Sequence, residues 1–209
     1  MPETVVFVHG LWMVGVDMSL LRRRVRRCGF TTYQFSYASV RSSPSQNAQA
    51  LQDFLATVKG DTVHFVAHSL GGLVVRYLFH LFPQPRPGRI VTIGTPHQGS
   101  DVAHRLAGSF LGRGILGKSL EAGLLGDLPP WTAQREIGII AGDISLGMGR
   151  LVEDLSTPND GTVSIKETNL SGMTDSLVVH TSHMGLLISK EVARQVCVFL
   201  KTGHFVHTE

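Results

Sequence analysis

The sequence predicts an α/β fold, a single doubly wound and mostly parallel sheet of about six strands. Short runs of β-forming residues alternate with segments of helical spacing along nearly the whole chain. Several of those runs are apolar at every position, as strands covered on both faces must be. The length of 209 residues suits one domain spanning 1–209, and neither a repeat nor a linker-like shift in composition divides it.

The elements follow in order. TVVFVHG from Thr4 reads as the first strand. Leu20, Leu21, Val25 and Cys28 then share one side of a helix, and the five arginines at 22–24 and 26–27 interleave with them. The arginines are most simply that helix's solvated face, with a weak attraction to anionic lipid or substrate as the alternative. TTYQFSY from Thr31 is the second strand. Pro44 and Ser45 open a helix carrying Ala48, Leu51, Leu55 and Val58 at helical spacing, which Gly60 stops. TVHFVAH from Thr62 is the third strand, and a helix over Leu70–Leu81 follows at once. RIVTIGT from Arg89, EIGIIAG from Glu136 and SLVVH from Ser176 complete the strands. Val192, Val196, Phe199 and Leu200 define a last helix, ended by Gly203.

One interval breaks the alternation. From Ser100 to Pro130 there is no strand, but six glycines (108, 112, 114, 117, 123 and 126) punctuate an apolar stretch. Val102, Ala103, Leu106, Ala107, Phe110 and Leu111 form an amphipathic series. Segment 100–130 is either a crossover helix with its loop or a cap over a site.

Composition narrows the class. With 43% hydrophobic and 17% charged residues the chain is globular rather than disordered. A net charge of +3 without a face-long basic stripe gives no reason to expect nucleic acid as a partner. MPETVVFVHG has neither a basic n-region nor an apolar h-region, and no window approaches the ~18 unbroken apolar residues of a membrane span. A cytoplasmic location is therefore expected. Cys28 and Cys197 each sit in a helical pattern without metal-ligand or CxxC spacing. Two buried thiols are the expectation, and a single disulfide is the alternative. Neither metal nor cofactor is expected.

The chemistry concentrates at Ser69. The run from Val63 to Val66 stops at a serine flanked by Ala67, Gly71 and Gly72, and a helix begins immediately. A serine at so tight a strand-to-helix turn has a strained backbone, and only small residues two positions away on either side avoid a clash. That is the physical content of a nucleophile elbow, here Ala67-His68-Ser69-Leu70-Gly71 with alanine for the usual first glycine. The turn projects the hydroxyl, aims the next backbone N–H at the same space, and starts a helix whose positive end favours an anion. A plain serine N-cap is the bland alternative.

A nucleophilic serine needs a base and an orienting acid. Of ten histidines, His183 falls in the loop between the last strand and the last helix, where its ring can reach Ser69. His180, which continues the strand, is the reserve. The acid comes from Asp143, Glu153, Asp154, Asp160 and Asp175. Asp160, in the turn PNDGTVSI, is preferred, and Asp143 at a strand end is the alternative. After the first strand, Gly10 lets the chain pass close to the site. The N–H of Leu11 can there pair with that of Leu70 as an oxyanion hole, with His9 supporting the loop by hydrogen bonding.

Five stretches in this order, FVHGLW (7–12), VAHSLGG (66–72), GTPHQGS (94–100), NDGTVSI (159–165) and HMGLL (183–187), resemble the α/β-hydrolase superfamily, and within it the compact bacterial lipases and esterases. The resemblance implies a minimal α/β-hydrolase fold with Ser69 as nucleophile, Asp160 as acid and His183 as base. It also implies Leu11 and Leu70 as oxyanion donors and a structural His97. Segment 100–130 is longer than in the smallest such lipases, and the paired-aspartate calcium site of some larger ones is not evident. The expected activity is hydrolysis of a small-molecule or lipid carboxylic ester, with Trp12, Met13, Leu106 and Phe110 walling an acyl pocket and weak contact with lipid surfaces. The rivals are an acyltransferase or thioesterase using the same residues, and a non-catalytic ligand-binding module on this fold.

Overall fold

A computed structural model describes residues 3–84, 86–121, 123–146 and 156–207. Its elements in chain order are β1 (Thr4–Val8), α1 (Ser19–Arg27), β2 (Thr31–Phe35), α2 (Pro44–Leu55), β3 (Val63–His68), α3 (Leu70–Leu81) and β4 (Ile90–Ile93). There follow α4 (Asp101–Ala107), α5 (Phe110–Leu116), β5 (Ile137–Gly142), α6 (Ile165–Thr168), β6 (Asp175–Val179), α7 (Gly185–Ile188) and α8 (Lys190–Thr202).

All six expected strands form one sheet in the order β2-β1-β3-β4-β5-β6, and every neighbouring pair is parallel. The chain winds outward from β1 to β2, then crosses back to β3 and continues the other way. Alternate side chains of a strand point to opposite faces, so a strand buried on both needs apolar residues throughout. Val5, Phe7, Val66, Ile93 and Ile140 face α1, α7 and α8. Val6, Val8, Phe65, Ala67 and Ile139 face α2 and α3. The unbroken apolar runs are thus two interleaved half-cores.

α2 ends at Leu55, earlier than the spacing to Val58 suggested. Thr57 and Val58 close shorter three-residue turns onto Phe54 and Leu55, yet Val58 remains buried. α1 and α8 lie side by side on one face, and their neighbourhood corrects the expectation of free thiols. Cys28 and Cys197, 169 residues apart in sequence, have Cα atoms 6.3 Å apart and are joined as a disulfide.

The interval after β4 also departs from expectation. The apolar series beginning at Val102 does not run on through Phe110 and Leu111, because Ser109 caps a new helix by accepting from the Gly112 N–H. The stripe is broken and Phe110 is left 96% exposed. Ala103, Leu116 and Leu124 pack with Leu70 and Leu73 on the first turn of α3. The base of the segment is tied on both sides. Ser100 N–H donates to the Leu124 carbonyl (2.8 Å), the Asp101 N–H to Glu167 Oε1 (2.6 Å), and Arg76 Nε to the Pro129 carbonyl (2.6 Å). Among the described residues no helix is long and apolar enough to cross a membrane.

Candidate active site

Ser69 joins β3 to α3 with φ 52° and ψ −126°, a positive-φ conformation that an L side chain adopts only under strain. The surroundings hold it there. Its N–H donates to the Ile93 carbonyl (2.9 Å), and its own carbonyl accepts from Thr95 Oγ1 (2.9 Å). Gly71 is required two residues later because any Cβ would strike the carbonyl oxygens of Val8 and His9. Gly10 likewise lies so close that a Cβ there would be 3.0 Å from Ser69 Cβ.

The loop after β1 passes over this turn. His9 accepts the Tyr37 N–H at Nε2 (3.2 Å), so its ring proton sits on Nδ1 and donates to the Gly10 carbonyl (2.9 Å). The ring stacks on Tyr37 at 4.3 Å, and the Tyr37 hydroxyl donates to the His9 carbonyl (2.7 Å). Burial lowers the His9 pKa, which suits a neutral spacer. Beyond Gly10, the N–H groups of Leu11 and Leu70 have no hydrogen-bond partner among the described residues, and both residues line the same cavity as Ser69. Trp12 follows with φ 59°, its indole N–H donating to the Ile115 carbonyl of α5 (3.0 Å).

Asp160 and His183 meet across the loops after β5 and β6. His183 Nδ1 is 2.7 Å from Asp160 Oδ2, and the His183 N–H donates to the Asp160 carbonyl (2.8 Å). Asp160 Oδ1 accepts from the N–H groups of Thr162 (2.9 Å) and Val163 (2.8 Å), which stops the carboxylate from rotating. With Oδ2 accepting, a neutral His183 ring carries its proton on Nδ1 and its lone pair on Nε2. Gly94 (φ 56°) packs flat against the pair: a Cβ there would be 3.0 Å from the ring and 3.2 Å from Oδ2.

The two reserves pair with each other instead, His180 Nδ1 lying 2.9 Å from Asp143 Oδ1. Asp175 is taken up by the Phe205 N–H and His207. Glu153 and Asp154 lie outside the described residues.

Ser69, His183, Leu11 and Leu70 border one cavity of about 260 Å³, walled mainly by apolar side chains. Trp12, Met13 and Leu106 line it. Phe110 does not, because the cap at Ser109 turns it to solvent, and the expectation for it is corrected. Val102, Leu116, Leu124, Leu146 and Met184 take part in the wall instead.

Four contributors escape a reading of local pattern. Tyr37 holds the loop after β1 from 28 residues away. Gly94 and Thr95 had a signal, the GT of GTPHQGS, but only as part of a resemblance. His68, directly behind Ser69, is buried with its ring 4.6 Å from that of His183, and its Nε2 reaches the His183 carbonyl (3.4 Å). Burial, then the neighbouring His183, holds its pKa well below the usual histidine range. His97 is buried against Thr92 (3.1 Å), its carbonyl accepting from Arg76 (2.7 Å). Burial and Arg76 bring its pKa to about 3, which fits the structural part that the resemblance implied.

The same architecture recurs in solved structures at low identity. The mature form of Bacillus licheniformis lipase BlEst2 matches with a TM-score of 0.77 and 20% identity, over 98% of this chain and 93% of that one. The metagenomic carboxyl esterase MGS0156 matches at 0.71 and 18%, over 96% and 74%. Carboxylesterase CesB (YbfK) from Bacillus subtilis matches at 0.62 and 14%, over 97% and 84%. The six-stranded parallel sheet with its flanking helices is therefore an α/β-hydrolase-like fold. The model of one domain family, described as a domain of unknown function (DUF7379), matches residues 4–110, just over half the chain, and takes in β1 through the start of α5 with Ser69 near its middle; the chain belongs to that family.

Proposed function

We propose that this chain is a serine carboxylic-ester hydrolase working through an acyl-enzyme. One observation carries the reading. Ser69, in a strained positive-φ turn, borders the same largely apolar cavity as His183, whose Nδ1 is tied to the buried Asp160. In this mechanism His183 Nε2 takes the Ser69 proton as Oγ attacks the ester carbonyl. The N–H groups of Leu11 and Leu70 receive the oxyanion, and the alcohol leaves with the proton from His183. Water then repeats the steps on the acyl-enzyme. Asp160 holds the ring tautomer and stabilises the imidazolium.

The cavity's apolar walls favour esters of medium or longer acyl chains. Exposed Trp12, Leu146 and Met184 at its edge fit weak contact with a lipid surface. Segment 100–130 supplies Val102, Leu106, Leu116 and Leu124 to the wall, which supports a cap role for it. The Cys28–Cys197 disulfide favours an oxidising compartment over the cytoplasm.

The test is hydrolysis of p-nitrophenyl esters across acyl lengths, parent against Ser69→Ala. The proposal expects a loss on the order of 10³-fold or more in the variant. It also expects fluorophosphonate labelling of the parent alone. An unlabelled, inactive parent would make the chain a binding module. Transfer to an added alcohol without hydrolysis would make it an acyltransferase.

A further inference from the structure

A second, more polar pocket of about 760 Å³ lies at the other end of the sheet, where β3, β4 and β5 begin. Arg86, Arg89 and Arg135 line it, with Gln84, Gln134 and Phe79. The three arginines are not equivalent. Arg89 is paired through Nε with Glu136, and its Nη1 reaches the Leu200 carbonyl (3.0 Å). Arg86 and Arg135 have no carboxylate partner among the described residues.

Those two are half-buried and serve only backbone carbonyls. Arg86 donates to Val58 (2.8 Å) and Leu55 (2.9 Å). Arg135 donates to Val63 (3.0 Å) and to the carbonyl of Arg86 itself, which brings the two residues together. The Arg135 guanidinium lies 4.8 Å from the Phe79 ring centroid. A guanidinium has five N–H donors, and two are used in each, so three on Arg86 and three on Arg135 have no hydrogen-bond partner among the described residues.

Two like charges lining one pocket, partly desolvated and without a carboxylate partner among the described residues, are costly. Burial, then the Arg86 charge, brings the Arg135 pKa down to about 10. The pocket's two carboxylates are committed elsewhere. Glu136 goes to Arg89, and Glu3 accepts from His64 Nε2 (3.2 Å) while His64 Nδ1 accepts the Arg89 N–H (2.9 Å).

We propose that this pocket binds a phosphorylated small molecule, its phosphate held between Arg86 and Arg135. Two guanidinium forks arriving from different loops offer more donors than the two oxygens of a carboxylate use, and they suit the three terminal oxygens of a phosphomonoester. The volume exceeds that of a phosphate alone and lies in the range of small-ligand sites. Phe79 and Gln134 line the space left for the organic part, while the Gln84 amide nitrogen donates to Gln52 Oε1 and the Phe82 carbonyl. This site is independent of the chemistry at Ser69.

Calorimetric titration at constant ionic strength tests it, with phenyl phosphate and benzoate as probes. Expected is saturable binding of phenyl phosphate, unchanged in Ser69→Ala and weakened about tenfold or more in both Arg86→Gln and Arg135→Gln. The proposal is overturned if no saturable binding occurs, if benzoate binds as tightly, or if either arginine variant binds like the parent. Should the arginine variants fail to fold, amide shift mapping on the parent decides. Phenyl phosphate shifts centred on residues 86 and 135 support the site, and shifts centred on Ser69 overturn it.

Discussion

Two histidine–aspartate pairs stand near one another beyond the C-terminal ends of β5 and β6, and they differ chiefly in burial. His183 Nδ1 and Asp160 Oδ2 are 2.7 Å apart, with side chains 9% and 1% exposed. His180 Nδ1 and Asp143 Oδ1 are 2.9 Å apart, with side chains 82% and 29% exposed. Hydrogen-bond length therefore separates them little. The surroundings separate them well. Asp160 is pinned by two amides, Gly94 packs on its histidine, and His183 borders the cavity shared with Ser69. A fixed carboxylate away from water acts on its neighbour far more strongly than one screened at the surface. The comparison teaches that a histidine–aspartate pair is set apart by what immobilises and dries it.

Substitutions can break that comparison, beginning with the histidines. His183→Ala is expected to lower kcat/KM on p-nitrophenyl esters by about 10³-fold or more. His180→Ala should leave it within about twofold, since an exposed pair contributes little. Equal losses would erase the distinction. Of the two aspartates, under the proposed mechanism Asp160→Asn should cost on the order of 10²- to 10⁴-fold through the wrong ring tautomer, and Asp143→Asn almost nothing. Steady-state kinetics on the two variants decides between them.

Gly94→Ala probes the packing alone. Its methyl must displace the His183 ring, and a positive φ disfavours it, so kcat should drop by about ten- to a hundredfold with KM little changed. A KM effect alone would mean that the ring does not move.

Stability sharpens the contrast in a different way. Burial lowers the pKa values of His68 and His97 below the ordinary 6.5, that of His97 to about 3. Between those values the unfolded chain binds protons that the folded chain refuses. Their stabilisation is thus complete above about pH 6.5 and is lost as pH falls, by at most about 1.4 kcal/mol per histidine per pH unit. Urea unfolding at pH 7.5 and pH 5 should show the drop, and His97→Gln should reduce it. An unchanged slope in His97→Gln would count against burial as its cause.

Much of the fold was legible because its determinants are local. The four inner strands announced themselves by largely apolar runs that the sheet buries on both faces, as in Val5-Val6-Phe7-Val8, whereas the edge strands β2 and β6 are only partly buried. The turn at Ser69 was legible for the same reason, since its small neighbours sit within two residues of it. The acyl-wall assignment of Phe110 failed where a single capping serine changed the direction of the chain. Periodicity assumes one continuous helix, and Ser109 ends that assumption.

Sequence alone, then, determined the order of strands and helices, the strained turn at Ser69, and a short choice of histidines and acids. These depend on backbone preferences and on which faces must be apolar, and both are written within a few residues. Tertiary structure decided which histidine meets which aspartate, that Cys28 meets Cys197, and that Arg86 and Arg135 share a pocket without a carboxylate. It decided them because hydrogen bonding, disulfide formation and desolvation depend on distances through space. Those distances are set only when segments far apart in the chain pack on the same sheet.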